Sequence, residues 1–468
     1  MSRPAAAQKK ENWVRFGFDP AHGGVNPEET LISEGTVGGL RLLWRTKLPG
    51  VADSSPILLH DLDFGKGTHD VLYATTRDGA IVALDAVSGE ILWSHRPSGP
   101  QITTSSPVAD PSKRLVFSYG LDGTLHKYDA VSGKELKGGA WPVPITLMPQ
   151  TEKGSSALNI AGGQVYVATS GYIGDAPPYQ GHVVAIDEAT GDSEVFNSLC
   201  SSIRHLLSAE ECPSERSGIW ARGGAVVDNA TESVFATTGN GPYDANSGGN
   251  DYGDSILKFG RENLRLLDSY TPETYRWLEE EDADLGSTAP ALLPQIPQSK
   301  TPLLLVQGGK DGLLRLVDRR NLSGAGEPGH VGGQLQVIRS AGCAAFTQPV
   351  VWTDGEGRAW VIVAGSCAIA GYRVSTDPGG ATALRLAWKT DGECTTPVLA
   401  GGVLFAATTG AVLALDPSSG RRLWSSEQEG AGGSIGDIHW ESPIVVNGRL
   451  YISDESGAMS AYGLPRRH

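Results

Sequence analysis

Nine residues of this 468-residue chain combine a reactive side chain with a position just outside an expected strand. Trp220, Arg222, Asp282, Asp284, His439 and Glu441 precede strands that open a repeat unit, whereas Asn240, Asp244 and Lys310 follow second strands of such units. Asn and Asp side chains supply hard oxygen ligands for a divalent cation, and a carboxylate can act as a base. Loops of these two kinds leave a repeat on the same side, so all nine are expected to face one mouth of a central channel, a concave setting for a small ligand. Other chemistries lack their signatures. The ten His form no HExxH or His-x-His pair, and no G-x-S-x-G elbow, Walker loop or Gly-rich dinucleotide loop is present, so no NAD site is expected. The five Cys include no CxxC or CxxCH, which excludes zinc-ribbon and c-type haem sites: no zinc and no haem are expected.

The elements that must position these residues come from an internal repeat. Ala83–Trp93 reads ALDAVSGEILW and Ala414–Trp424 reads ALDPSSGRRLW, so A-x-D-x-x-x-G-x-x-x-W occurs twice without a mismatch. Weaker copies carry Asp129 and Gly133 with Lys137 at the Trp position, and Asp187 and Gly191 with Val195 there; Asp318 begins another. Upstream of each unit lies a small-residue motif that usually ends in Pro, such as Ser54-Ser55-Pro56 or Thr395-Thr396-Pro397. There are eight, spaced 46 to 68 residues apart. Each unit reads as four short antiparallel strands, with Gly supplying a positive φ and Asp capping the turn before the outer strand. Trp93, Trp388 and Trp424 read as packing between neighbouring units. The fold expected is all-β, an eight-bladed β-propeller of four-stranded blades. The last unit stops at Pro465 without an outer strand. Residues 40–48, LRLLWRTKL, supply one, so residues 1–39 form a lead-in and 40–468 a single propeller whose ring is closed by an N-terminal strand.

Composition agrees with a folded, turn-rich chain: 61 Gly, 28 Pro and 40% hydrophobic residues. A formal charge of −15, with no basic run longer than Arg466-Arg467, argues against nucleic acid as a partner. No stretch of 18 apolar residues exists, so no membrane span is expected, and the polar start Met1–Glu11 carries no signal peptide. Cys200 and Cys212 enclose a short loop that suits a disulfide in an oxidising compartment, and two free thiols suit it equally; the odd count leaves at least one thiol free or intermolecular.

The repeats resemble those of pyrroloquinoline-quinone (PQQ) dehydrogenases and the wider group of PQQ-like propellers, over nearly the whole chain. The opening Phe16-Gly17-Phe18-Asp19-Pro20-Ala21-His22 is similar to the lead-in of bacterial members, including polyvinyl-alcohol-dehydrogenase-like proteins. The resemblance implies a periplasmic or secreted protein that binds PQQ and Ca2+. Asn240, in Thr238-Gly239-Asn240-Gly241-Pro242, resembles the Asn that binds the calcium ion; Asp284 lies where those enzymes place the catalytic Asp, also beside the metal. Lys310, in Gly308-Gly309-Lys310-Asp311-Gly312, resembles the lysine that contacts the quinone, and Trp220 the indole beneath it. Two family elements are absent: the adjacent-cysteine disulfide, and the Glu metal ligand of the third blade, where Ser170–Asp175 offers only Asp175.

The function implied is a quinoprotein-like oxidoreductase that oxidises an alcohol or related small-molecule substrate and passes electrons to an acceptor protein. Two other readings stand beside it: a propeller that has lost PQQ and runs another reaction in the same site, and a non-catalytic ligand- or protein-binding propeller. Each site residue also has a plain reading. Asn240 suits a tight turn, Lys310 a solvated hairpin, Asp284 the acidic run 279–282, and Trp220 packing between blades.

Overall fold

A computed structural model describes residues 10–428 and 430–465. The remainder of the polar start and the Arg466-Arg467 pair lie outside the described residues. Eight small antiparallel sheets follow one another along the chain and form an eight-bladed β-propeller. Blade 1 shows the pattern: Ile57–Asp63, Thr68–Thr75, Ile81–Asp85 and Ile91–His95 pair in chain order. Its third strand, Ile81–Asp85, is buried at every residue because both of its faces are covered, whereas the outer strand is mostly exposed. A near-continuous apolar run marks such doubly covered strands, and strand alternation is therefore weak in the inner part of each blade.

The repeat motif explains how blades lock together. Trp93 of blade 1 donates its indole N–H to the Ala130 carbonyl of blade 2 at 3.3 Å and lies over Gly133, where a Cβ would come within 2.6 Å of the ring. Trp388 of blade 6 does the same to Pro417 O at 2.9 Å and to Gly420 of blade 7. Trp44 bonds Ala86 O at 3.2 Å and covers Gly89. The motif glycine thus has two duties: a positive φ (67° at Gly133, 70° at Gly420) and a bare surface for the indole of the preceding blade. The motif Asp caps the turn, as Asp85 Oδ1 accepts the N–H groups of Val87 and Ser88. Trp424 is buried edge-on to Tyr462 of blade 8 at 5.6 Å.

Blade 2 departs from the sequence reading. Its outer strand is Val143–Pro144, downstream of Lys137, and Trp141 takes the indole place against Gly191 of blade 3. Four extra residues between Gly133 and Trp141 carry the Trp beyond the motif spacing, so alignment to the repeat pointed to Lys137 instead.

Ring closure follows the expected route. Arg41–Lys47 pairs antiparallel with Ala458–Gly463 from Arg41↔Gly463 to Lys47↔Ala458, and so becomes the outer strand of blade 8. The lead-in runs along the first strands of several blades, and its buried His22 meets the Gly223 carbonyl at 2.8 Å. Trp13 exchanges two hydrogen bonds of 2.8 Å with Leu58 of blade 1. The carbonyls of Val14, Pro20, Gly23 and Gly24 accept N–H groups from the first strands of blades 2, 4, 6 and 7, namely Ala109, Val227, Val351 and Leu399. Val25–Asn26 adds a short parallel strand to blade 7.

Two disulfides are present, Cys200–Cys212 and Cys343–Cys367, and Cys394 is a buried free thiol. The first closes the loop left open by the sequence; the second joins residues 24 apart, for which the sequence carried no spacing signal.

Candidate active site

Trp220, Asn240, Asp284 and Lys310 line one cavity of about 330 Å3 at the channel mouth, within the range typical of small-molecule sites. Trp220 and Asn240 belong to blade 4, from the loop before its first strand Val226–Asp228 and from the loop between Ser233–Thr237 and Ile256–Gly260. Asp284 and Lys310 take the matching positions of blade 5, around Ala291–Leu292 and between Leu304–Gln307 and Leu313–Asp318.

Close backbone approach fixes this geometry. A Cβ on Gly239 would stand 2.6 Å from Asp284 Oδ1 and 2.9 Å from Trp220 Nε1, so the loop can lie against both only because residue 239 has no side chain. The Asn240 N–H donates to Asp284 Oδ1 at 2.5 Å, and the Lys310 N–H to the Asp284 carbonyl at 3.0 Å. Behind Asp284, the buried Asp254 accepts the Leu285 N–H at 2.9 Å. Burial pushes the Asp254 carboxyl well above its usual range, with Asp284 adding repulsion.

Asp284 has both oxygens engaged, for Oδ2 forms an ion pair with Lys310 Nζ, which also reaches Asp282 at 2.9 Å. Burial pushes the Asp284 carboxyl up, against the lowering influence of Lys310. The desolvation of Lys310 is outweighed by its two carboxylates, so its ammonium is held above the ordinary lysine range. The ammonium also lies 5.3 Å from the Trp220 ring centroid.

Two further cations line the same cavity. Burial pulls Lys153 down to about 8, with Arg222 adding to the effect, and Lys153 has no hydrogen-bond partner among the described residues. Arg222 is buried, donates to Thr104 O at 2.9 Å and to Ser155 O at 3.2 Å, and leaves Nε and Nη2 unpartnered among the described residues. Burial lowers it to about 10. A cavity that holds a flat indole and three cations, two of them with donors to spare, suits a planar aromatic carboxylate in charge and type.

The fit to a cation is narrower. The Asn240 side-chain oxygen and Asp284 are two hard donors, but Lys310 already sits on Asp284. In the third blade, Asp175 lines the rim and accepts the Tyr179 hydroxyl at 2.9 Å, while the buried Glu152 is occupied by the Gln180 N–H, His182 and Thr146. Both of these carboxylates are thus already hydrogen-bonded. Elsewhere at the mouth, Asp53, His439 and Glu455 bring ligand atoms within 4.8 Å of one another, but Arg77 bridges Asp53 and Glu455 at 2.9 and 2.7 Å and supplies the positive charge itself.

The other sequence candidates divide. Arg222 and His439 line the cavity; Asp282 is exposed and reaches it through Lys310. Glu441 is buried, its Oε2 accepting the His439 N–H at 2.6 Å. Asp244 does not face the mouth: its carboxylate accepts the Asp251 N–H at 2.9 Å and braces its own loop. Sequence reasoning missed Lys153, Trp440 and Asp53. Lys153 and Asp53 stand within two residues of the small-residue motifs at Ser155 and Ser54, and Trp440 follows His439, so position relative to those motifs was the usable signal.

Comparison with known proteins follows the same line. The family model described as outer membrane protein assembly factor BamB matches residues 38–250 and 371–464. The dehydrogenase subunit of a quinone alcohol dehydrogenase from Komagataeibacter europaeus is 25% identical over 358 residues, which are 66% of this chain and 44% of that protein. The chain thus spans less than half the length of that relative. Among solved structures, a quinohemoprotein alcohol dehydrogenase of Pseudomonas putida HK5 superposes with a TM-score of 0.67 at 15% identity, covering 98% of this chain and 82% of that one. A europium-containing methanol dehydrogenase superposes with a TM-score of 0.68 at 16% identity, covering 97% and 98%. At such identities the superpositions speak for the propeller fold.

Proposed function

Because this chain belongs to the PQQ-like repeat family of propellers, we propose that it is a quinoprotein-like oxidoreductase that oxidises an alcohol or related hydroxyl compound at the channel mouth. The observation that carries the reading is the meeting of Trp220, Asn240, Asp284 and Lys310, four residues scattered over 90 positions, in one cation-rich cavity. A bound quinone would accept a hydride there. Trp220 would stack on its ring, and Lys310, Lys153 and Arg222 would hold its carboxylates. Asn240 and Asp284 are the oxygen donors for a divalent cation, if one accompanies the quinone. For Asp284 to act as the proton acceptor expected from the sequence, Lys310 has to leave Oδ2; in the arrangement described, Asp284 orients Lys310 instead.

Electrons are proposed to leave to an acceptor protein. Two disulfides support a periplasmic or secreted location, since such bonds persist in oxidising compartments.

The test is retention of the cofactor. Purified protein mixed with PQQ, with and without Ca2+, is desalted and its quinone absorbance measured, followed by dye-linked alcohol oxidation. Stoichiometric retention is expected, weakened at least about tenfold in Asn240→Ala and Asp284→Ala, the order of one lost charged hydrogen bond. A wild-type protein that retains no quinone yet unfolds at an unchanged temperature would overturn the proposal and favour a binding propeller or a different reaction.

A further inference from the structure

A second cavity, of about 520 Å3, opens beside the first over blades 6, 7 and 8. Phe346, Ile438 and Trp440 give it an apolar side, and Thr347, Ser366 and Thr395 a hydroxyl-bearing one. Trp220 stands 6.4 Å from both Phe346 and Trp440, so these rings form the partition between the cavities. His439 and Trp440 belong to both walls.

His439 is held as a base would be. Its Nδ1 lies 2.9 Å from Asp53 Oδ2, and Asp53, 1% exposed, is fixed in turn by the Trp440 N–H at 2.9 Å and by Arg77. Burial alone would raise the Asp53 carboxyl, but His439, Arg222 and Arg77 hold it down at about 2, so it accepts the Nδ1 proton as a carboxylate. That fixes the tautomer and leaves the Nε2 lone pair without a partner among the described residues, on a side chain 43% exposed. The titratable and charged groups around the ring are Asp53, Arg77, Glu455 and the buried Glu441, with Glu393 on the wall of the second cavity and Arg222 over the adjoining Trp440. Asp284, by contrast, already carries the Asn240 N–H on Oδ1 and the Lys310 ammonium on Oδ2.

We propose that His439, oriented by Asp53, is the general base that takes the hydroxyl proton of an alcohol entering through the second cavity. The inference rests on the oxidoreductase reading above. The O–H bond breaks and its proton forms an N–H bond at Nε2. The C–H bond breaks with its electron pair going to the bound quinone, so that the alcohol becomes a carbonyl compound and the quinone, after one proton from the imidazolium, a quinol. His439 is the catalytic residue of this step and Asp53 a positioning residue.

Dye-linked oxidation of primary alcohols is followed from pH 5 to 9 in PQQ-loaded wild type, His439→Gln and Asp53→Asn, together with 15N spectra of histidine-labelled protein without cofactor. His439→Gln is expected to retain quinone like wild type but to lose about a hundredfold in kcat across this range, the scale of a general base. The 15N spectra are expected to show the Nδ1–H tautomer of His439 in wild type and to lose that preference in Asp53→Asn. Turnover of His439→Gln at near wild-type kcat, or an Nε2–H tautomer in wild type, would overturn the dyad while leaving the oxidoreductase reading in place. Absence of turnover in quinone-loaded wild type would sink that reading, and the base with it.

Discussion

Glu441 is buried beneath the mouth with Oε1 lacking a partner among the described residues. Burial, with repulsion from Asp53, raises its carboxyl from 4.5 to about 9. The folded protein therefore keeps a proton that the unfolded chain releases near pH 4.5, and stability contributed by this group falls as pH rises from about 4.5 to about 9. Glu441→Gln keeps the acceptor for the His439 N–H and removes the titration. Its unfolding free energy from urea titration is expected to gain on wild type between pH 5 and pH 8, by at most about 1.4 kcal/mol per pH unit. Parallel pH dependences in the two proteins would show that Glu441 is ionised. At this scale Asn240 and Lys310 were singled out by resemblance to a family pattern, and the glycines beside them, Gly239 and Gly309, prove to be points of close backbone approach that the sequence presents only as turns. Lys153 and Asp53 were passed over although each stands beside a small-residue motif, because the groups that act on them, the like charge of Arg222 on Lys153 and His439 on Asp53, lie in other blades.

Blades are joined through the Trp-on-Gly contact, which separates two costs of replacing a turn glycine. Gly420 and Gly65 both have positive φ, 70° and 77°, so Ala strains either backbone. Only at Gly420 would the new Cβ meet the Trp388 ring, at 2.5 Å, whereas Gly65 has nothing within 4 Å. Gly65→Ala is expected to cost about 1 kcal/mol and Gly420→Ala at least twice that, read from thermal unfolding. Equal losses would mean that the indole moves aside freely. Strand positions were readable from the sequence wherever the motif is intact: Ile81–Asp85 and Arg41–Lys47 fall within a residue or two of their expected places. Blade 2 was not, because its insertion carries Trp141 away from the motif, and periodicity cannot report an indole that reaches its glycine by a longer path.

The ring is closed twice, by the strand 41–47 at its rim and by the lead-in, which bonds to the first strands of five blades. These two closures separate by deletion. A chain lacking residues 1–39 keeps the rim strand, and is expected to exchange the amide protons of Val227, Val351 and Leu399 faster than wild type while Arg45 and Lys47 stay protected. Unchanged protection at the three inner amides would show that the lead-in does not stabilise the channel floor. The blade count was legible from eight small-residue motifs, but the route of residues 10–39 was not, since a segment bonded to the first strands of several blades follows no period of its own.

Pairing residues 41–47 with 458–463 also sets an order of events during synthesis. The rim strand is made first and its partner last, so through most of translation it is an open edge with its hydrogen-bonding groups unclaimed. Nothing in the seam distinguishes the chain's own tail from that of a neighbouring copy. Between two unfinished or partly opened molecules, the same seam would exchange strands and knit a swapped dimer, each ring shut by the other's rim strand.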